Sequence, residues 1–369
     1  GISGGDLIGI TRMYPPGEED NAIEAEVVGV LSREIIVKVQ DRGDQERMMT
    51  PGTRWRLDKM ANKIAYVRQL KALRLITTPA GDGGGNQQQQ QQQMQGMFGG
   101  KKSKGKKDIR PAQEIINALI APKPPEGQNS SYVVENCKSP CRSLRFQRYL
   151  TGPPPESEFM RGLNASQCTA ISAATTRRLT LVQGPPGTGK THTSLRILQW
   201  WLRSRVHWPE GACLLATSDT NIAVDNLLEG LVKMGVRAVR LGRPDRIRPE
   251  LMQYCVDVPQ PGEQQVDWGM KMRKLAAADV VCSTCVGIGS EQLEGKLFAG
   301  VLLDEASQVT EAASLVPLCR GCEQLVLVGD QCQLPPTVAS RSALEVGAGE
   351  PLFNRLVAAG GGAVLPPPP

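Results

Sequence analysis

Histidine is nearly missing from this chain, which has His192 and His207 and no others. Aromatic residues make up only 4%. The first scarcity leaves a zinc site poorly provided for. The second leaves little material for stacking nucleic-acid bases. No apolar run approaches the roughly 18 residues that span a bilayer. The opening Gly1-Ile2-Ser3-Gly4-Gly5-Asp6 lacks the charged and apolar regions of a secretory signal, and it has no initiator methionine, as in a fragment or processed product. Ten cysteines are present, but in a chain of 369 residues they do not read as a disulfide framework. Cys282/Cys285 and Cys319/Cys322 have C-x-x-C spacing without a partner pair at zinc-site spacing. The first pair falls on a predicted strand, where residues three apart point to opposite faces. The cysteines therefore read as reduced and structural, which fits a cytoplasmic or nuclear compartment. Hydrophobic content of 40% and charged content of 22% are those of an ordinary soluble protein. A net charge of +6 allows a polyanionic partner without requiring one.

What is present centres on Gly184-Pro185-Pro186-Gly187-Thr188-Gly189-Lys190-Thr191, which fits G-x-x-x-x-G-K-[ST]. A β-prone Arg178–Gln183 precedes it. Leu195, Leu198, Trp201 and Leu202 follow at helical spacing. Glycines let backbone N–H groups close around phosphate oxygens, and the helix N-terminus adds partial positive charge. Lys190 is expected on the β- and γ-phosphates, and the Thr191 hydroxyl on Mg²⁺.

Alternating segments predict strands over 6–10, 24–30 and 34–39, part of a small β-barrel within residues 1–50. Leu57, Met60, Ile64, Val67, Leu70 and Leu73 form one stripe that predicts a helix over 51–78. Its basic residues read either as a solvated face or as a nucleic-acid backbone contact. Residues 79–107, rich in Gln, Gly and Lys, form a disordered spacer. Its lysine run is solubilising, a nucleic-acid contact or a nuclear-import signal. Residues 108–160 make a Pro-rich connection with a short helix at 112–120. Residues 161–360 alternate six strands with helices, interrupted by a small insertion near 248–277. That alternation predicts an α/β fold, a parallel sheet with helices on both faces. Residues 361–369 are a Pro tail.

Phe298–Leu303 is an apolar strand running into Asp304 and Glu305. After a phosphate loop in the same sheet, Asp304 is placed to hold Mg²⁺ and Glu305 to orient or deprotonate the attacking water. Leu325–Gly329 leads at the same edge into Asp330-Gln331-Cys332-Gln333, whose amide is placed to sense the γ-phosphate.

Gly184–Thr191, Asp304-Glu305-Ala306-Ser307-Gln308 and Gly329-Asp330-Gln331-Cys332-Gln333-Leu334-Pro335-Pro336-Thr337 together resemble helicase motifs I, II and III of superfamily 1. The branch is that of the nonsense-decay and immunoglobulin-μ-binding helicases, designated 1B. The resemblance implies a RecA-like P-loop domain, preceded by a partial accessory β-barrel and a stalk helix that includes Arg56–Asn62. It implies ATP and Mg²⁺ as cofactors. ATP-binding residues are then Gln167, reading the adenine edge, with Gly184, Pro185, Pro186, Gly187, Thr188, Gly189, Lys190, Thr191 and His192. Lys190, Asp304, Glu305 and Gln333 carry catalysis, and Thr191 and Asp304 hold the metal. Ser218, Asn221 and Thr284 lie in segments similar to those that contact single strands. The implied activity is ATP-dependent 5′→3′ movement along single-stranded RNA or DNA by a monomer, away from membranes. No guanine-reading N/T-K-x-D segment argues for GTP instead.

After Leu356 the sequence turns Gly- and Pro-rich. The second RecA-like domain that completes the family's site, and brings its arginine fingers, is expected to be missing. A fragment inactive alone is thus expected. The alternative is a non-catalytic nucleic-acid-binding module from a truncated helicase. With so few aromatics, strand contact should rest on phosphate-directed groups and weaken steeply with salt.

Overall fold

The computed structural model describes residues 2, 6–12, 23–32, 34–39, 55–77, 111, 115–116, 119, 156, 158–204, 212–258, 266–290, 293, 296–338 and 340–358. The spacer expected at 79–107, most of the connection expected at 108–160 and the tail at 361–369 lie outside them. The chain forms two units, residues 1–71 and 72–369.

In the first unit, strands β1 (Asp6–Arg12), β2 (Ile23–Val30), β3 (Ile35–Val39) and β4 (Trp55–Asn62) make an antiparallel sheet in the order β3-β2-β1-β4. Ile8, Ile10, Ile23, Ala25, Val27 and Val39 are its buried core, with Trp55 and Leu57 packed against them. β4 corrects the sequence reading. The helix expected across 51–78 begins only at Lys63, as α1 (Lys63–Thr77), so Arg56–Asn62 is strand and not stalk. The reason is pairing. Trp55 to Asn62 run antiparallel to Arg12 to Asp6, so the ladder satisfies the β4 backbone. Leu57 and Met60 happen to extend the stripe of the helix that follows, but Leu57 serves the sheet. The sheet expected within 1–50 gains its fourth strand this way.

The second unit holds a six-stranded parallel sheet in the order β5-β10-β9-β6-β8-β7. Its strands are β5 (Leu179–Gln183), β6 (Cys213–Ser218), β7 (Ala238–Arg240), β8 (Val280–Thr284), β9 (Phe298–Leu303) and β10 (Gln324–Gly329). β6, β9 and β10 are buried along their whole length, which explains why they read as unbroken apolar runs. Alternate residues serve opposite faces. Val182, Leu214, Ala216, Leu302, Val326 and Val328 pack against α2 (Ala165–Thr176), α3 (Lys190–Arg203) and α4 (Asn221–Lys233). Leu181, Leu215, Val301, Leu303, Leu325 and Leu327 face the other way. There they meet Leu275 of α5 (Trp268–Ala277), Leu315 of α6 (Glu311–Leu315) and Leu352, Phe353 and Leu356 of α7 (Leu352–Ala358). Helices therefore cover both faces, and the loops at the carboxyl ends of β5, β9 and β10 meet along one edge, where α/β sheets bind ligands.

Candidate nucleotide and strand-binding site

The phosphate loop joins β5 to α3. Its turn depends on Gly187 (φ 81°) and Gly189 (φ 80°), left-handed positions that disfavour any residue with a Cβ. At Gly189 a Cβ would also lie 2.9 Å from Nε2 of Gln167. Gly189 is the N-cap of α3 and no side chain caps that end. The first amide hydrogens of α3 thus point out from the positive end of a 14-residue helix, an anion-binding arrangement. The Lys190 ammonium donates back to Pro185 O at 3.4 Å, and Thr188 Oγ1 donates to the same carbonyl at 2.8 Å. Pro185, Pro186, Gly187 and His192 are exposed along the rim.

Gln167 is drawn to this loop. Asn164 caps α2 in a capping box in which Gln167 Oε1 accepts from Asn164 N at 3.1 Å. Its Nε2 donates to Thr188 O at 3.2 Å. The amide therefore connects α2 to the phosphate loop, with both of its polar atoms engaged.

Asp304 follows β9 and is only 2% exposed. Its Oδ2 accepts from Thr191 Oγ1 at 3.3 Å, and its Oδ1 from the backbone N of Glu305 at 3.1 Å. Burial, with the Glu305 charge second, pushes the Asp304 carboxyl up to about 6, against those two hydrogen bonds and the Lys190 charge. Glu305 has φ 54° and ψ 39°, making it the one non-glycine residue with positive φ among those described. Such strain is retained where surrounding contacts impose it. Its Oε2 accepts from Gln308 Nε2 at 3.4 Å.

At the end of β10 the buried Asp330 organises its own loop. Oδ1 accepts from Cys332 N at 3.1 Å and Oδ2 from Gln333 Nε2 at 3.0 Å. Sequence reasoning overlooked Ser307, whose Oγ accepts from Asp330 N at 3.2 Å and ties the loop after β9 to the loop after β10. Gly329 sits where these loops crowd. Its carbonyl accepts from Gly184 N at 3.2 Å, and a Cβ there would lie 3.0 Å from Ser307 N.

The residues expected on a nucleic-acid strand fare unequally. Ser218 is fully buried, and its hydroxyl has no hydrogen-bond partner among the described residues. As the last residue of β6 it still pairs with Thr284 of β8, and its carbonyl accepts from Cys285 N at 2.9 Å. The surface begins at Asp219 and Thr220. Asn221 opens α4 and is half-buried, and Thr284 Oγ1 accepts from Gly287 N at 3.2 Å.

The described cysteines are free thiols. Burial pushes Cys282 and Cys285 up to about 12, so neither is a thiolate available to a metal. No helix among the described residues is long and apolar enough to cross a membrane.

Known proteins match this domain. The AAA domain family model covers residues 162–274 and 262–341. The ATP-dependent helicase NAM7 of Saccharomyces cerevisiae is 35% identical over 226 residues, 54% of this chain and 23% of that protein. The regulator of nonsense transcripts 1 of Caenorhabditis elegans is 37% identical over 226 residues, again 54% of this chain and 21% of its own. The DNA replication ATP-dependent helicase/nuclease DNA2 of Xenopus laevis is 34% identical over 216 residues, 55% of this chain and 19% of its own. The chain thus spans about a fifth of the length of these relatives. The solved UvsW helicase of bacteriophage T4 overlays at 11% identity and TM-score 0.36, covering 56% of this chain and 60% of that one. The parallel sheet, phosphate loop and acidic pair thus lie in a segment, residues 162–341, that matches the AAA domain family, and about half of this chain is similar to ATP-dependent helicases.

Proposed function

We propose that this chain supplies the ATP-binding wall of a helicase that hydrolyses ATP and moves 5′→3′ along single-stranded RNA or DNA. The observation that carries the reading is the 3.3 Å approach of Thr191 Oγ1 to Asp304 Oδ2 across the mouth of the uncapped α3. A hydroxyl and a buried carboxylate beside a phosphate site are the hard oxygen donors that suit Mg²⁺, and these two residues would hold it. Bound there with the nucleotide, Mg²⁺ would neutralise charge on the phosphate oxygens. The rest falls to the protein. The α3 amides and Lys190 bind the phosphates, Gln167 holds the loop against α2 and meets the adenine edge, and His192 borders the nucleotide. Glu305, fixed in direction by its left-handed backbone, orients and deprotonates the attacking water. Gln333, braced by Asp330, faces the γ-phosphate. Asn221 and Thr284 meet the strand.

The site is one half of a composite. A second RecA-like domain would bring arginine to the developing charge, a contribution of about 10³–10⁵ in rate for related enzymes. The chain by itself is expected to be monomeric, to bind Mg·ATP weakly and to hydrolyse it negligibly, in a cytoplasmic or nuclear setting. Binding of a fluorescent ATP analogue to the purified chain tests the reading. Lys190→Ala should weaken it at least about tenfold without lowering thermal stability. Equal binding by parent and variant would refute it, as would robust strand-stimulated hydrolysis for the half-site part.

A further inference from the structure

Arg240, the last residue of β7, is completely buried and gives every nitrogen of its guanidinium an acceptor. Nε donates to Asp225 Oδ1 at 2.9 Å, Nη1 to Leu241 O at 2.6 Å and Nη2 to Asn221 Oδ1 at 2.8 Å. Asp225 is itself fixed, since its Oδ2 accepts from Arg248 N at 2.9 Å. Room for the guanidinium depends on Gly242, whose φ is 155° and where a Cβ would lie 2.9 Å from Arg240 Nη1. Burial of the Arg240–Asp225 pair is an ordinary core solution. It does not explain why the third nitrogen reaches a half-buried asparagine at the start of α4.

A guanidinium has donors and no acceptor, so the Asn221 atom facing it must be the amide oxygen. The amide orientation follows from that chemistry. Nδ2, with its two hydrogens, is turned the other way, and no described residue accepts from it. It lies at the N-terminus of a 13-residue helix whose partial positive charge favours an anion. We propose that Arg240 is a positioning residue for strand binding, locking Asn221 so that Nδ2 donates to a phosphate oxygen of the bound strand. This rests on the strand-binding reading above and adds to it the residue that sets the direction of the contact.

The decisive variant is Asn221→Asp. It keeps an acceptor for Arg240 Nη2, and an acidic residue is well placed at this helix end, so the fold should hold. It also puts an acceptor where the donor stood. The expected result is unchanged melting temperature and ATP-analogue binding, with affinity for fluorescein-labelled oligo(U) and oligo(dT) down at least about tenfold. Asn226→Asp adds the same charge to the exposed surface of α4 and should cost no more than about twofold. An equal loss in Asn226→Asp would reduce the effect to bulk charge and overturn the proposal. Arg240→Lys and Asn221→Asp should be non-additive for strand affinity, and additive losses would also overturn it. An oligonucleotide with methylphosphonate linkages keeps one acceptor oxygen but loses the charge, so the penalty of Asn221→Asp should shrink there. An undiminished penalty would place the acceptor on a base or sugar and refute the phosphate assignment. If the parent chain binds ATP analogue but neither oligonucleotide, the strand-binding reading itself fails. If it binds both and Asn221→Asp binds equally well, only the role of Arg240 and Asn221 fails.

Discussion

Replacing Asp304 by Asn should make the metal-free protein more stable. The magnitude follows from burial. The carboxyl has an ordinary value of 3.8 and is pushed up to about 6 in the fold. A difference of that size corresponds to about 3 kcal/mol of cost for holding the folded carboxylate ionised at pH 8. The sign is that of an acid with a raised folded value. Below 3.8 the group is protonated in both states and contributes nothing. As pH rises from there, the unfolded chain ionises first and folding is progressively penalised, until the penalty levels off above about 6. Asn has no such penalty. It can accept from only one of the two partners, Thr191 Oγ1 and Glu305 N, and the lost bond subtracts about 1 kcal/mol. A net gain of about 2 kcal/mol at pH 8 translates to roughly 4–8 °C for a domain of this size. By pH 5 the penalty on the parent has fallen to about half, and most of the advantage should be gone. Thermal denaturation in a chelating buffer from pH 5 to 8 measures both the gain and its slope. An Asp304→Asn variant no more stable than the parent at pH 8, or one whose advantage does not change with pH, would show that the carboxyl is not strained by burial.

Gly189→Ala should weaken ATP-analogue binding by more than about tenfold, because a Cβ meets Gln167 Nε2 and the left-handed backbone adds about 1–2 kcal/mol. Isothermal titration alongside circular dichroism separates this from unfolding, and normal affinity would mean that the loop tolerates another conformation. Thiol labelling of the native protein should modify Cys332, which is exposed, well before Cys282, Cys285 and Cys322, whose thiols are buried and held far above neutral pH. Mass spectrometry of partially alkylated protein would reveal the order, and early labelling of Cys282 would contradict the packing of β8.

The parallel sheet was legible because its central strands are buried on both faces, so β9 and β10 read as apolar runs that end in functional polar residues. The phosphate loop was legible because backbone conformation demanded glycine at 187 and 189. β4 was not, since Leu57 and Met60 fell in phase with the helical stripe beginning at Ile64, and only pairing with β1 separates the two. Nor was the burial of Ser218, because a polar residue at a strand end reads as exposed whichever way its side chain turns. The Arg240–Asp225–Asn221 cluster brings together residues up to 19 apart in sequence, and the arginine looked like one more surface charge on a short edge strand.

Gly329 has a consequence for how the domain can move. Its carbonyl holds the first residue of the phosphate loop, and its bare α-carbon leans on the backbone of Ser307. Three loops that would sense different parts of a nucleotide therefore meet at a single knuckle, where a Cβ at 329 would crowd both Ser307 N and the Phe353 ring. Displacement of the phosphate loop by an arriving nucleotide would then be felt in the segments after β9 and β10. The message would pass through the backbone bond of Gly184 to Gly329 and on through the Ser307 hydroxyl to Asp330, so a bulkier residue at 329 should disturb all three loops together.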